Sequence, residues 1–245
     1  MRVSVCIPMY NENRVIAESA KRLSAYMESQ FEDYEIVFCN DGSTDGCDET
    51  VRALKLPSVR VISYTPNRGK GNAVRTAMLA ADGDVRIFTD ADLAYGTEVI
   101  GQIVKEFEEH PDADLVIGSR NLQKDGYDGY TWTRRVVSKA YIRLLCAVSG
   151  FRLSDSQCGC KAFRGAAAEK IFSRCETNGY AFDFEAILWA KKHGFSVRET
   201  PVRVLVHGDS KVRVLRDTWK MLGDLRRMKK RIKKLEIEDK KTQSV

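Results

Sequence analysis

The sequence predicts an α/β fold that forms one domain around a mostly parallel sheet. Short apolar runs of strand length alternate with segments whose apolar residues recur at helical spacing. A polar loop follows most of these runs, which is typical of repeated strand–loop–helix units. A chain of 245 residues, with 43% hydrophobic and 30% charged residues, suits one domain with a sizeable core.

Five apolar runs are predicted to be strands, and a sixth run is strand-like. They cover residues 3–7 (ended by Pro8), 35–39, 59–63, 85–90, 114–117 and 196–206. Helices are predicted near residues 15–27, 73–81, 97–109 and 132–149, and another begins at residue 182. Ser43 or Thr44 is expected to cap the helix that follows the second strand.

Polar clusters follow the predicted strands at their carboxyl ends, where open α/β sheets bind ligands. These clusters lie far apart in the sequence, at residues 8–12, 40–45, 67–71, 90–92 and 118–120. Because the ends of parallel strands meet at one edge of a sheet, we expect the clusters to form a single site.

Asp90 and Asp92 stand one residue apart at the end of the fourth apolar run. In an extended backbone, alternate side chains point to the same side, so the two carboxylates would share one divalent cation. Mg²⁺ and Mn²⁺ prefer oxygen ligands of this kind. Taken alone, an Asp-Ala-Asp triplet also fits an exposed turn.

The seven cysteines are odd in number and scattered, and none forms a Cys-x-x-Cys pair. Cys158 and Cys160 lack the neighbouring ligands that a zinc site needs, so reduced thiols in a cytosolic protein are expected. The first apolar run is too short for a signal peptide. No run reaches about 18 apolar residues, so no membrane span is expected.

The C-terminal segment is strongly basic, with 13 Lys or Arg and 5 Asp or Glu in residues 211–245. Residues 212–236 are predicted to form a basic amphipathic helix on an anionic membrane surface, and residues 237–245 to be disordered. A helix packed on the body and a coiled-coil dimer seam are the alternatives. Basic residues flank an apolar stripe instead of alternating with aromatic residues, so no nucleic-acid partner is expected.

Together, in this order, the motifs resemble those of family 2 glycosyltransferases with the GT-A (Rossmann-like) fold. The matching segments are Pro8-Met9-Tyr10-Asn11-Glu12, residues 40–45, Asn67-x-Gly69-Lys70-Gly71, Asp90-Ala91-Asp92 and Gly118-Ser119-Arg120. Residues 155–163 and 181–185 are similar to those of dolichyl-phosphate β-glucosyltransferases. Three features depart from the pattern: no anchor precedes the first strand, Ala94 stands where the mannosyl branch usually has Gln, and Asn40 replaces an Asp.

The resemblance implies inverting transfer of a hexose from a nucleotide sugar to a polyprenyl or dolichyl phosphate. Glucose and UDP-glucose are favoured, Mg²⁺ or Mn²⁺ is the expected cofactor, and the enzyme would lie peripherally on the cytoplasmic membrane face. GDP-mannose or another donor, a soluble or glycan acceptor, and a binding module without turnover are the alternatives. The transferase domain would cover residues 1–211, with a nucleotide-sugar half at 1–120 and an acceptor half at 121–211. The formation of a homo-oligomer is a further possibility.

The resemblance also assigns roles to individual residues. The catalytic residues would be Asp92, Arg120 and Asp183, and the metal ligands Asp92 and Asp90. The donor would contact Pro8, Tyr10, Glu12, Asp41, Lys70 and Asp90. The acceptor and its phosphate would contact Arg134, Arg135, Gln157, Lys161 and Lys211. Each also has an ordinary structural alternative: an Asx turn for Asp41, a helix start for Lys70, an ion pair for Arg120, and hydrogen bonding for Lys161 and Asp183.

Overall fold

The computed structural model describes residues 1–124, 153–156, 158–179 and 181–205, together with residues 223, 227, 228, 230–232, 234 and 235. The predicted helix at residues 132–149 lies outside these ranges. Within them, none of the helices has the length and apolar character that a membrane crossing requires. The six cysteines in the described part of the chain are all free thiols and all buried.

Strands and helices alternate along the described chain. The strands are β1 Val3–Met9, β2 Tyr34–Asp41, β3 Val59–Tyr64, β4 Val85–Phe88, β5 Leu115–Ser119, β6 Lys161–Arg164 and β7 Val197–Pro201. The helices are α1 Ile16–Gln30, α2 Cys47–Ala53, α3 Lys70–Ala80, α4 Glu98–Glu109, α5 Gly165–Phe172 and α6 Phe182–Lys192. A single 3-10 turn, Arg120–Leu122, follows β5.

The seven strands form one sheet in the order β3-β2-β1-β4-β6-β5-β7. All neighbouring pairs are parallel except those of β6, which runs antiparallel to both β4 and β5. The prediction of a mostly parallel sheet is therefore confirmed. β6 and α5 were not predicted, because β6 has only four residues and follows a polar, cysteine-rich stretch that does not resemble a strand.

Two apolar layers cover the two faces of the sheet. Every residue of β1 is buried, as expected for a parallel strand that is covered on both faces. Val3, Val5 and Ile7 pack into the layer that contains α1 and α4, and Cys6 packs into the layer that contains α3, α5 and α6. This alternation follows from the two-residue period of a strand.

Several predicted boundaries were wrong. Pro8 does not end β1, since it pairs with Cys39 and the strand continues to Met9. Neither Ser43 nor Thr44 caps α2, which begins at Cys47 after Gly46 with φ of 77°. The remaining differences are shifts in length: α3 starts at residue 70 instead of 73, and β7 covers only residues 197–201 of the predicted 196–206.

Candidate active site

The loops after β1 and β2 are joined by side-chain hydrogen bonds. The backbone N–H of Asn11 donates to the hydroxyl of Ser43 (3.0 Å), and that of Thr44 donates to the side-chain oxygen of Asn11 (2.9 Å). The N–H of Asn13 donates to Asp45 (2.8 Å). These cross-links were not predicted from the sequence, although Asn11 stands inside the polar cluster at residues 8–12 and Asn13 directly follows it. They hold two of the predicted clusters together at one edge of the sheet.

The donor residues predicted on β1 lie in contrasting environments. Pro8 is buried within the strand, whereas Tyr10 is 43% exposed at its end. Glu12 is half-buried, and its charge helps to raise the pKa of Asp92. Glu12 therefore lies within electrostatic range of the acidic turn after β4, as the convergence argument requires.

Asp41 is buried at the end of β2 and organises the loop that precedes α3. One carboxylate oxygen accepts hydrogen bonds from the Tyr64 hydroxyl (2.7 Å) and the Arg68 N–H (2.8 Å). The other accepts from the side-chain amide of Asn67 (2.9 Å) and the Gly69 N–H (2.8 Å). Both oxygens thus hold the loop, and the role of Asp41 in base recognition stays a prediction.

The acidic pair lies in a turn and not in an extended strand. β4 ends at Phe88, and Leu93 has φ of 48°, so the alternation argument that placed Asp90 and Asp92 on one side of a strand was wrong. The Asp90 carboxylate nevertheless lies near enough to Asp92 for its charge to raise the pKa of Asp92. The turn brings the pair together by a different backbone route.

Asp90 forms an ion pair with Lys70, the first residue of α3, at 2.5 Å. A Cβ at Gly159 would lie 2.4 Å from a carboxylate oxygen of Asp90, so a side chain at this position would displace the Asp90 carboxylate. The Gly159 N–H donates to the Tyr95 hydroxyl (3.1 Å). The Asp90 carboxylate is therefore held between the start of α3 and the chain that leads into β6.

Asp92 carries a negative charge that its surroundings do not fully offset. Burial, and then the neighbouring Asp90 carboxylate, raises the pKa of Asp92, while Lys70 lowers it. The N–H of Ala94 donates to the Asp92 carboxylate (3.1 Å). A divalent cation would relieve this excess of negative charge.

The donor set fits a cation that is completed by substrate. Among the residues that the structure describes, no three His, Cys, Asp or Glu side chains are grouped to hold a metal ion by themselves. Mg²⁺ commonly binds through one or two carboxylates plus substrate phosphates. The unrelieved charge at Asp92 therefore suits a Mg²⁺ or Mn²⁺ ion that arrives with a diphosphate.

Asp183 and Lys161 form a buried ion pair beside this turn. The Lys161 ammonium is fully buried, 2.7 Å from Asp183 and 2.6 Å from the Cys158 carbonyl oxygen. Burial raises the pKa of Asp183, Lys161 opposes that shift, and Lys70 and Asp90 also act on it. Contact of Lys161 with an acceptor phosphate stays a prediction. In the structure, the Lys161 ammonium orients the Asp183 carboxylate.

Arg120, just after β5, is paired with Asp155. Its guanidinium donates two hydrogen bonds to the fully buried Asp155 carboxylate, at 2.6 and 2.9 Å. Glu199 on β7 accepts from the N–H groups of Ser154 (2.9 Å) and Asp155 (3.1 Å), which holds this segment. Phosphate binding by Arg120 stays a prediction.

The remaining acceptor residues predicted from the sequence lie outside the described residues. They are Arg134, Arg135, Gln157 and Lys211. The described residues still bring together clusters that stand up to about 170 positions apart, from Glu12 to Asp183. No local sequence signal could have identified Asp155 as the partner of Arg120. The same is true of Glu199, which holds residues 154 and 155.

Curated relatives share sequence with most of the chain. Dolichyl-phosphate beta-glucosyltransferase of Saccharomyces cerevisiae is 31% identical, over 91% of this chain and 72% of the yeast protein. Dolichyl-phosphate beta-glucosyltransferase of Drosophila melanogaster is 29% identical, over 83% of this chain and 67% of the fly protein. The similarity thus covers both the strands and the loops described above.

A solved structure shows the same fold at low sequence identity. Glucosyl-3-phosphoglycerate synthase from Mycobacterium tuberculosis, in complex with Mn²⁺, UDP and phosphoglyceric acid, superposes with a TM-score of 0.69. It is 18% identical in sequence, over 91% of this chain and 78% of that chain. The likeness supports the GT-A fold that the motifs imply.

One family profile matches the chain, that of Glycosyl transferase family 2, over residues 4–172. The match begins in β1 and ends with α5, so it includes Lys70, Asp90, Asp92 and Arg120. Because it extends over more than half of the 245 residues, the protein belongs to glycosyl transferase family 2.

Proposed function

We propose that this enzyme transfers glucose, with inversion at the anomeric carbon, from UDP-glucose to a dolichyl or polyprenyl phosphate. The observation that carries the proposal is the meeting of Lys70, Asp90, Asp92 and Asp183 around the turn after β4. The similarity to dolichyl-phosphate beta-glucosyltransferases supports both the sugar and the lipid phosphate acceptor.

The donor diphosphate would lie against this turn. Asp92 and Asp90 would hold Mg²⁺ or Mn²⁺, which offsets the negative charge of the leaving nucleoside diphosphate. Lys70 stands at the N-terminus of α3, where backbone N–H groups and the helix dipole also favour an anion. The nucleoside would extend towards Tyr10, Glu12 and the loop that Asp41 organises.

The acceptor phosphate can act as the nucleophile without a strong base. A phosphate monoester has a second pKa of about 6, so it is largely dianionic at neutral pH. One of its oxygens attacks the anomeric carbon, and the bond from that carbon to the diphosphate breaks as UDP leaves. Arg134, Arg135, Gln157 and Lys211 would contact the acceptor, with Asp183 on the sugar side.

Asp183 could instead take a proton from an acceptor hydroxyl, since its pKa is raised by burial. The pH dependence of the transfer rate separates the two roles. For a phosphate acceptor we expect a profile that follows the ionisation of the phosphate and is unchanged in shape by Asp183→Asn. A wild-type profile with a limb that disappears in Asp183→Asn would assign general-base catalysis to this residue.

The C-terminal segment would bring the enzyme to an anionic membrane surface through its charges. Met228 and Ile232 are buried, and Ile232 packs against the apolar layer beside α6. Arg227, Lys230 and Lys234 are exposed. Contact through these exposed basic residues is electrostatic, so it weakens as salt rises, and Met228 and Ile232 are not the part that would enter the bilayer.

Vesicle sedimentation tests this contact. The full chain should sediment with vesicles that contain phosphatidylserine, and should sediment less when salt is raised. A triple variant, Arg227→Gln with Lys230→Gln and Lys234→Gln, should bind much less. Equal sedimentation of the variant and the parent at low salt removes the membrane role from these residues.

A radiolabelled-sugar transfer assay tests the proposed reaction. UDP-glucose and GDP-mannose are offered separately with a polyprenyl phosphate and Mn²⁺ or Mg²⁺, and lipid-extractable label is counted with and without EDTA. Metal-dependent label from UDP-glucose is the expected result. Label from GDP-mannose alone contradicts the proposed donor, and transfer only to water-soluble acceptors contradicts the proposed lipid acceptor.

A further inference from the structure

We infer that Arg231, in the C-terminal segment, is a positioning residue for the donor site. It holds residues 175–179, the loop between α5 and α6, and this loop in turn holds the start of α3. The consequence for the donor rests on the proposed function, because Lys70 at the start of α3 is assigned there to the diphosphate. The coupling between Arg231 and the loop follows from the contacts alone.

Arg231 pairs with a carboxylate that is almost fully buried. Its guanidinium lies 2.7 Å from Glu185 on α6, whose side chain is 1% exposed. The same guanidinium lies 2.6 Å from Glu176 and donates to the carbonyl oxygen of Arg174 (2.8 Å). A buried carboxylate without a cationic partner is strongly unfavourable, so Arg231 offsets the charge of the Glu185 carboxylate.

Glu185 uses its second carboxylate oxygen to hold the loop. This oxygen accepts hydrogen bonds from the backbone N–H groups of Glu176 (2.9 Å) and Thr177 (2.7 Å). Hydrogen bonds to an ionised acceptor are shorter and stronger than neutral ones. The Glu185 carboxylate, which Arg231 holds in place, therefore fixes the backbone at residues 176 and 177.

The fixed loop packs directly on the start of α3. The Gly71 N–H donates to the Asn178 carbonyl oxygen (2.8 Å). A Cβ at Gly69 would lie 2.4 Å from that oxygen, and a Cβ at Gly71 would lie 2.3 Å from the Thr177 carbonyl oxygen. The two glycines that flank Lys70 thus lie against the loop, with no room for a side chain between them.

Lys70 connects this contact to the acidic turn. It stands between Gly69 and Gly71, and its ammonium reaches Asp90. A shift of the loop would move the backbone of Lys70 and change the geometry of that ion pair. Losing Arg231 is therefore expected to weaken nucleotide binding at a distance, although Arg231 itself touches no residue assigned to the donor.

The test compares three single variants of the full chain: Arg231→Gln, Arg231→Lys and, as the control, Lys21→Gln. Lys21 is exposed on α1, and its replacement by Gln removes the same charge. UDP affinity is measured by calorimetry with Mn²⁺ present, and amide hydrogen exchange is measured at Gly71, Glu176 and Thr177. Melting temperature is recorded for each variant, so that both measurements are made well below unfolding.

We expect Arg231→Gln to weaken UDP binding between about 3-fold and 30-fold and to speed exchange at the three amides. Arg231→Lys should recover part of the affinity, and Lys21→Gln should match the parent. Unchanged affinity and exchange in Arg231→Gln overturn the inference, and so does an equal loss in Lys21→Gln. If the parent binds no UDP, the proposed function fails, while the exchange measurement still decides whether Arg231 holds the loop.

Discussion

Replacing Lys161 by Met tests the buried ion pair beside the acidic turn. Met is close to Lys in shape but carries no charge, so Asp183 loses the ammonium that lies 2.7 Å away. The Lys161 and Asp183 side chains are 0% and 11% exposed, so water cannot replace the lost partner. Breaking a buried pair of this kind costs about 3–5 kcal/mol of unfolding free energy.

This loss is large beside the total stability of about 5–15 kcal/mol that is typical of a folded protein. For a chain of this size it corresponds to a fall in melting temperature of about 6–20 °C. The matched control is Lys105→Met, since Lys105 is 70% exposed and its pair with Glu109 lies on the surface of α4. A change within about 0.5 kcal/mol is expected there.

The effect of Lys161→Met should depend on pH. The pKa of Asp183 is already raised by burial, and removing Lys161 raises it further. A carboxyl group whose pKa is higher in the folded state contributes most stability at low pH and loses it as pH rises through the folded pKa. The deficit against the parent should therefore be small near pH 4 and grow towards pH 7.

Urea unfolding of the parent, Lys161→Met and a double variant with Asp183→Leu at both pH values measures these differences. The double variant should recover most of the loss, because no buried charge is left unpaired. A deficit below about 1 kcal/mol in Lys161→Met at neutral pH, or one that does not change with pH, would refute the reasoning.

Three further substitutions test other parts of the site. Burial and Asp90 raise the pKa of the Asp92 carboxyl, so Asp92→Asn should raise the unfolding free energy by about 0.5–2 kcal/mol at about pH 7, but not below pH 3.8. A lower melting temperature of this variant at neutral pH contradicts the prediction. Gly159→Ala should displace Asp90 and slow sugar transfer about 10-fold or more. The control is Gly179→Ala, since a Cβ there meets nothing within 4 Å, and equal transfer rates in the two variants contradict the prediction. Glu199→Gln replaces a charged acceptor of several hydrogen bonds and should lower the unfolding free energy by about 1–3 kcal/mol. An unchanged urea midpoint of unfolding contradicts this prediction.

Local patterns in the sequence were enough to predict the parallel part of the sheet and the convergence of its loops. β1, β2 and β3 are mainly apolar runs followed by polar turns, and parallel neighbours need a crossover connection, which contains a helix in each case. The strand order could not be predicted in the same way. β6 inserts between β4 and β5 although it follows β5 in the chain, and its pairing depends on contacts far apart in sequence.

Most residues of the candidate site could be predicted from the sequence, but the ion pairs between them could not. Asp90, Asp92 and Lys70 stand in recognisable motifs, yet the strand argument for the two carboxylates was wrong, because a turn follows Phe88. The ion pairs that hold the site join residues tens of positions apart, such as Arg120 with Asp155. Spacing within one helix or strand carries no information about such pairs.

Asp90 and Asp92 are assigned to a divalent cation that binds the donor diphosphate. Calorimetric titration of UDP, with Mn²⁺ and then with EDTA, tests this in the parent, Asp92→Asn and a control variant, Glu108→Gln. Glu108 is exposed on α4 and lies beside Met1 and Val3, at the opposite edge of the sheet. We expect Mn²⁺ to strengthen UDP binding at least about 10-fold in the parent and the control but not in Asp92→Asn. UDP affinity that is independent of Mn²⁺ in the parent, or a metal effect that Asp92→Asn retains, would contradict the assignment of the acidic turn.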